Sequence, residues 1–488
     1  MLFNSLAFLI FFPVVTALYF LLPHRARWVL LLAASCFFYM FFIPAYILIL
    51  VFTIVVDYVA GIWIERSTGR RRRLVLLMSI AANVGALAVF KYWNFFAANL
   101  NQLAGVLGVD AHVWTLSLVL PIGLSFHTFQ AMSYTIEVYR GAQRAERHFG
   151  IYALYVMFYP QLVAGPIERP QGLLPQLRHE HRFEYRRVTH GLKLMAYGLF
   201  MKSVIADRLA VGVNNVYADP ARAGGPALLV ATVFFAFQIF CDFAGYTSIA
   251  LGAAEVMGIR LRPNFDRPYH ARSISEFWRR WHMSLSTWFK DYLYIPLGGS
   301  RVPVPRWYAN LLIVFVVSGL WHGANWTFLV WGALHGIYLV TGEATRSARA
   351  GLVARLGLDR VPRLHGAAQR LFVFALVCVG WVFFRASSLG AAWTVLSGLG
   401  TGWHGIASRA GLRAALHPLG MTAGNLVLGV AGILVIEVVH ELQARGLRVG
   451  ELISVRPLWQ RWTLYYATVA AIVVFGVFLG DQFIYFEF

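Results

Sequence analysis

Charge is what this sequence has least of. Only 13% of its 488 residues are Asp, Glu, Lys or Arg, about half the roughly 25% of an average soluble domain, and 59% are hydrophobic. That shortage excludes an ordinary water-soluble enzyme and makes the bilayer the main solvent. Acidic residues are scarcer still, 22 against 42 basic ones, for a formal net charge of +20. In a soluble chain this excess would suggest nucleic acid. Here Lys and Arg sit in short segments between apolar runs, where they set topology and meet anionic lipid headgroups. Membrane lipids are therefore the expected surroundings, and no nucleic acid is expected. Cysteine is also scarce: Cys36, Cys241 and Cys378 lie far apart inside apolar runs, with no Cys-x-x-Cys and no His at ligand spacing. This argues against disulfides and against zinc, and no metal ligands are assigned. The signs of a cleavable leader are scarce too, since no basic segment precedes the apolar run 3–22 and no small-residue cleavage site follows it, so no leader is expected. That run reads as a retained first helix.

What is present is a series of apolar runs near the length of about 20 residues needed to cross about 30 Å of hydrocarbon. The cluster Arg66, Arg70, Arg71, Arg72 and Arg73 marks a cytoplasmic loop by its positive charge. Threading from it puts Arg25 and Arg27 on the same side and the N-terminus outside, and 93–112, free of Lys and Arg, becomes an outside loop. The basic stretches 140–147, 169–190, 258–307, 344–370 and 445–461 then all stay inside, given helices near 45–64, 74–92, 113–138, 191–206, 226–250, 308–322, 325–343, 371–386, 421–440 and 463–480. The total is about twelve crossings. The apolar stretch 149–164 would upset this count if it crossed, so at least one re-entrant segment is expected, lining a cavity. The fold class is all-α and polytopic: one membrane domain over 1–488, with a catalytic core at about 113–343 and a C-terminal helix group at about 371–488.

Two segments carry chemistry. From Ser273 to Gly299 the sequence opens with a capping box, Ser273 and Glu276, and predicts an amphipathic helix over about 274–292. On it Trp278, Trp281, His282, Leu285, Trp288 and Phe289 recur at helical spacing, apart from Arg279, Arg280 and Lys290. This reads as a helix at the cytoplasmic interface with its aromatics at headgroup level; a plain interfacial anchor fits the periodicity equally well. Asp291 and Tyr292 close it, able to bond His282 or simply to cap. The second segment, Ser318 to His335, interrupts two apolar runs with His322 and Asn325. Gly319 and Gly323 bracket Trp321-His322 and permit close approach, while Trp321, Trp326 and Trp331 offer apolar walls. Imidazole, with an ordinary pKa of about 6.5, can take a proton from an attacking hydroxyl and return it to a leaving thiolate. His127 and His335 read as satisfied core groups. Asp242, inside an apolar run, should face the interior and find a partner. Glu168 and Arg169, between Pro166 and Pro170, read as a turn at a cavity mouth, able to grip a donor's phosphates.

These residues resemble the membrane-bound O-acyltransferases, and within them the bacterial alginate O-acetyltransferase branch, over essentially the whole chain. The likeness rests on Met1-Leu-Phe-Asn-Ser-Leu-Ala-Phe-Leu, Leu120-Pro-Ile-Gly-Leu-Ser-Phe-His-Thr-Phe-Gln, Ala164-Gly-Pro-Ile-Glu-Arg169, Asp242-Phe-Ala-Gly-Tyr-Thr-Ser248, the two segments above, and the ending Gln482-Phe-Ile-Tyr-Phe-Glu-Phe488. The resemblance implies a ring of tilted helices around a central tunnel, His322 as catalytic histidine and His282 as second motif histidine on a tunnel-facing helix. Trp321, Asn325, Trp281, Trp278, Asp291 and Asp242 are candidates for lining it. It further implies transfer of an acetyl group from a cytoplasmic thioester, acetyl-CoA or another, with no bound cofactor, toward an extracytoplasmic polysaccharide through a periplasmic acetyltransferase partner, at a bacterial inner membrane. Other acceptors, such as peptidoglycan or cellulose, fit the same chemistry. A transporter or a scaffold subunit is the reading from a different class; the inverted repeats frequent in transporters are not found.

Overall fold

The computed structural model describes residues 1–110, 112–447, 449–478 and 484. Among them every regular element is helical. Six helices are long and apolar enough to cross a bilayer: Pro44–Arg66, Gly69–Leu107, Gly225–Val256, Val304–His322, Pro362–Arg385 and Ala423–Ala444. Leu6–Leu21 and Leu389–Gly398 are shorter apolar helices. The chain is thus an all-α, multi-pass membrane protein. Other expected crossings are helical but carry more polar groups; Tyr185–Leu199, for example, runs through a π segment, Phe200–Ala206, into Asp207–Ala218, with Lys202 on the way. The backbone divides into two compact units, Met1–Met195 with Tyr246–Pro263, and Ala196–Gly245 with Asn264–Phe488.

In the first unit, the Ser5 hydroxyl caps helix Leu6–Leu21 by accepting from the Phe8 amide at 3.2 Å. Phe8 and Phe11 pack on Phe38 of helix His24–Met40 at ring distances of 6.3 and 5.9 Å. Helices Ile47–Arg66 and Gly69–Leu87 are joined by Asp57, whose buried carboxylate accepts from the Ser79 hydroxyl at 2.5 Å and from the Asn83 amide at 2.9 and 3.0 Å. A carboxyl at this depth is tolerated because its hydrogen bonds are supplied by the facing helix.

Two expectations change here, and a third, on 149–164, is met. The stretch 93–112, read as a loop, is helical over Trp93–Leu107 and continues the preceding helix to Gly108, whose φ of 66° ends it. Absence of Lys and Arg marks a side of the membrane and says nothing of backbone conformation. The expected helix 113–138 begins only at Leu124. Residues 113–120 form no regular element; their backbone is held by side chains, Asn101 exchanging two hydrogen bonds with the Val113 backbone and Asn94 two with that of Leu116, at 2.7–2.9 Å. The apolar stretch 149–164 holds only the nine-residue helix Phe149–Met157, which at 1.5 Å per residue covers less than half of about 30 Å. It is buried and does not cross.

In the second unit, the charge-rich stretch 344–370 is mostly helix, Arg346–Arg355 and then the start of Pro362–Arg385. The final helices are Ala423–Ala444 and Leu458–Phe475, displaced by a few residues from the expected spans. Residues 479–480 of the last span, and the closing motif 482–488 apart from Ile484, lie outside the described residues.

Candidate active site

Helices Val304–His322 and Trp326–Ala344 form a tight pair within the second unit. A Cβ on Gly319 would run into the Phe328 carbonyl oxygen, one on Gly332 into that of Phe315, and one on Gly323 into the Phe328 ring. The glycines flanking Trp321-His322 therefore serve helix-to-helix approach. Asn325 caps the second helix, its Oδ1 accepting from the Thr327 amide at 3.0 Å and its amide donating to the Ser387 carbonyl at 3.3 Å. One of the two polar residues that break the apolar run is thus a cap. The other, His322, is the last residue of its helix and only 4% exposed.

Its ring is enclosed by aromatics nearly perpendicular to it: Trp321 and Trp331 at 4.9 Å and Phe384 at 5.4 Å between centroids. Trp331 and Trp321 are buried as walls should be, but Trp326 is 52% exposed and forms no wall. This follows from helical phase, since Trp326 lies on the outer side of its first turn while Trp331 and His335 face inward.

The predicted helix 274–292 is not continuous. Ser273 caps it as expected, its hydroxyl accepting from the Glu276 amide at 3.1 Å; the Glu276 carboxylate reaches back to the Arg272 amide at 2.8 Å. The helix runs Ile274–Arg280 and then breaks: Trp281 is extended, His282 adopts a left-handed φ of 42°, and a second short helix, Met283–Phe289, follows, passing into a π turn, Lys290–Tyr294. The break turns Trp281 and His282 into the core, where they are 1% and 0% exposed. The aromatics expected at headgroup level are interior side chains. Trp281 stacks on Phe277 and lies 4.9 Å from Trp381. The His282 ring meets Phe243 at 4.7 Å and Trp321 at 6.3 Å. His282 and His322 therefore share Trp321 as a common neighbour. Burial pushes the His282 imidazole well below its usual range, so the ring is neutral.

Trp278 donates through Nε1 to His335 Nδ1 at 3.3 Å, and its ring packs on Trp331 at 5.6 Å. That contact gives His335 the core role expected of it. Asp291 lies on the π turn and is half-buried. Asp242 pairs with Lys202 at 2.8 Å, Lys202 also pairs with Asp207 at 2.7 Å, and Asp242 accepts from the Ile484 amide at 2.8 Å. The expected partner is there, and the role it gives Asp242 is structural pairing.

Within the first unit, Glu168 and Arg169 are buried beside the start of helix Pro170–Arg178. Glu168 accepts from the Arg262 amide at 2.6 Å, and burial pushes its carboxyl up to about 7 against the pull of Arg262 and Arg169. Arg169 donates to Ser133 at 3.2 Å. A cavity of about 290 Å³ in this unit is lined by His24, Arg25, Arg27, His148, Arg178 and His179 among others. It gathers basic residues from two segments that loop charge had assigned to one side, with His148 just past the end of a third. His127 is buried, and neither of its ring nitrogens finds a hydrogen bond among the described residues, so it is not the satisfied core group expected. Asp57 was missed by the sequence reading; its signal was a carboxylate alone in the run Ile47–Ile64.

Comparison with known proteins gives consistent results. The family model described as MBOAT, membrane-bound O-acyltransferase family, matches residues 16–389. The chain is 37% identical over 435 residues to the protein named probable alginate O-acetylase AlgI of Pseudomonas aeruginosa, covering 88% of this chain and 80% of that one. It is 36% identical over 434 residues to the peptidoglycan O-acetyltransferase of Helicobacter pylori, covering 82% and 80%. A more distant match, 33% identical over 244 residues, is the teichoic acid D-alanyltransferase of Streptococcus thermophilus, covering 47% and 58%.

Proposed function

Because the chain belongs to the membrane-bound O-acyltransferase family and is an O-acyltransferase, we propose that it moves an acetyl group from a cytoplasmic thioester, acetyl-CoA, to a hydroxyl bound for O-acetylation of an extracytoplasmic polysaccharide such as alginate. The acetyl group is passed on by a periplasmic acetyltransferase partner, and the enzyme sits in a bacterial inner membrane with its N-terminus outside. Family membership sets aside the transporter reading. No cofactor is held between turnovers; the thioester is a substrate.

One observation carries the assignment of the base: His322, only 4% exposed, ends a helix against the rings of Trp321, Trp331 and Phe384. A neutral imidazole there takes the proton of the acceptor hydroxyl as its oxygen attacks the thioester carbonyl carbon. The C–S bond then breaks, and the proton passes to the departing thiolate. An ester and a free thiol result, with nothing oxidised or reduced. In a buried site each charge that develops during attack is more sensitive to the position of the imidazole than it would be in water. His282, held neutral beside Trp321, is the second histidine of this centre and fixes that wall.

The test is acetyl transfer by the purified His322→Ala protein with its acceptor supplied. Removal of a general base should lower the rate by about 10²–10⁴-fold with the melting temperature close to parental. Retention of the parental rate would sink the assignment. Relatives named for peptidoglycan and teichoic acid support a second reading of the acceptor, another cell-envelope polymer. Labelled acetyl-CoA given to membranes with each candidate polymer separates these readings, and label found only on lipid would overturn both.

A further inference from the structure

The second unit holds a cluster of metal-ligating side chains that acyl transfer does not use. Helix Ala423–Ala444 carries Glu437 and His440 three residues apart, hence on one face near its C-terminal end. The short turn Pro268–His270 sets His270 against them. His270 Nε2 lies 3.2 Å from Glu437 Oε2, and His440 Nδ1 lies 3.6 Å from Glu437 Oε1. One ligand atom from each of the three residues lies within 4.8 Å of the other two. The histidines are only 7% and 5% exposed. A fourth oxygen, Glu441 Oε2, is 3.9 Å from His270 Nδ1, on a carboxylate that also pairs with Arg370 at 3.5 Å and Arg445 at 3.0 Å.

Hydrogen bonding among these groups leaves a remainder. His270 Nε2 can serve Glu437, yet His270 Nδ1, Glu437 Oε1 and His440 Nδ1 are all buried without a hydrogen-bond partner among the described residues. Glu437 Oε1 and His440 Nδ1 face each other at 3.6 Å, whereas His270 Nδ1 turns toward Glu441; orphaned buried atoms this close are costly unless something satisfies them together. A cation does so. Ligand atoms at bonds of about 2.0–2.1 Å in tetrahedral array stand about 3.3 Å apart, close to the two measured His-to-Glu separations.

We propose that His270, through Nε2, with Glu437 and His440 binds a divalent first-row transition metal, zinc by preference, with water as fourth ligand. Two imidazoles and a carboxylate disfavour Mg²⁺ and Ca²⁺, which take oxygen, and suit Zn²⁺, Fe²⁺, Mn²⁺ or Co²⁺. The burial of the site fits a structural ion. Tyr269, beside His270, packs on Phe277 at 6.2 Å and on Trp281 at 6.0 Å, so an ion held here pins the turn from which the Trp281-His282 break is built. The absence of zinc-like cysteine spacing does not bear on it, because the ligands here are His and Glu brought together from distant parts of the chain.

The full chain in detergent is stripped with a chelator, exposed to Zn²⁺ or Co²⁺, passed through gel filtration and analysed for metal. The parental protein should retain about one ion per chain, with visible Co²⁺ bands of a tetrahedral site, and its melting temperature should fall on chelation and recover on reloading. Glu437→Gln, which keeps the side-chain shape, and His440→Ala should each weaken retention by at least about 100-fold and abolish the chelator response. A monodisperse parental protein that retains none of Zn²⁺, Co²⁺, Mn²⁺ or Fe²⁺ overturns the proposal. So do variants that hold metal as the parent does. Neither readout depends on acyl transfer, so failure here leaves the reading of the active site standing.

Discussion

His282 is placed by its backbone as much as by its ring. A residue other than glycine at φ 42° and ψ 55° is in the left-handed region, where a Cβ costs roughly 1–2 kcal/mol. Two substitutions separate the roles. His282→Gly removes the ring and suits the backbone, whereas His282→Ala removes the ring and keeps the strain, so the glycine variant should be the more stable by about 1 kcal/mol in thermal unfolding. If the ring matters to transfer, both lose activity alike; if only the bend matters, glycine retains most of it. Equal stability of the two variants would mean the bend is not held in solution. His322 was legible as a candidate because it interrupts an apolar run, whereas His282 was singled out only through the family resemblance. The bend was not legible. Nothing in the Trp278, Trp281, Leu285, Trp288 periodicity marks a left-handed histidine, since the spacing on either side continues as though the helix were whole.

At the scale of elements, hydrophobic periodicity and length found most helices, and the two errors have different causes: lack of positive charge was taken for a loop at 93–112, and a tertiary contact was invisible at 113–120. The stretch 113–120 is as apolar as a crossing helix yet forms no regular element, its backbone bonded by Asn94 and Asn101 on a helix that sequence had read as a loop. A tertiary contact of this kind leaves no local signal, and Pro121 is the one residue that hinted at a break. Each asparagine supplies two hydrogen bonds, worth about 0.5–1.5 kcal/mol apiece. Asn94→Ala with Asn101→Ala should therefore free this stretch, seen as faster amide exchange and earlier proteolysis at 112–120 with the far-UV helix signal little changed. Unaltered exchange there would mean the clasp contributes nothing. The tight pair Val304–His322 and Trp326–Ala344 shows the converse, for Gly319, Gly323 and Gly332 were readable as sites of close approach, but only the structure tells whether backbone or substrate comes near.

At the scale of the molecule, the charge pattern does more than the hydropathy. Positive charge set Arg25 and Arg27 on one side of the membrane together with 140–147 and 169–190, by counting crossings and without any knowledge of contacts. Independently, the first unit folds Arg25, Arg27, His148, Arg178 and His179 around one cavity. Residues around one cavity of about 290 Å³ lie close together, which agrees with a count that leaves 149–164 uncrossed, as the structure has it. That this side is the cytoplasmic one is our proposal, argued from the excess of Lys and Arg. Single cysteines replacing Arg25, Arg144 and His179, in a chain whose Cys36 is half-buried and whose Cys241 and Cys378 are buried, should resist a membrane-impermeant maleimide in intact cells and label together once the cytoplasmic face is opened. Labelling of any one of the three from outside would break the shared face. Labelling of all three from outside would keep the shared face and invert the protein in its membrane, which would put the donor and acceptor sides of the proposed transfer in conflict with the loop charges.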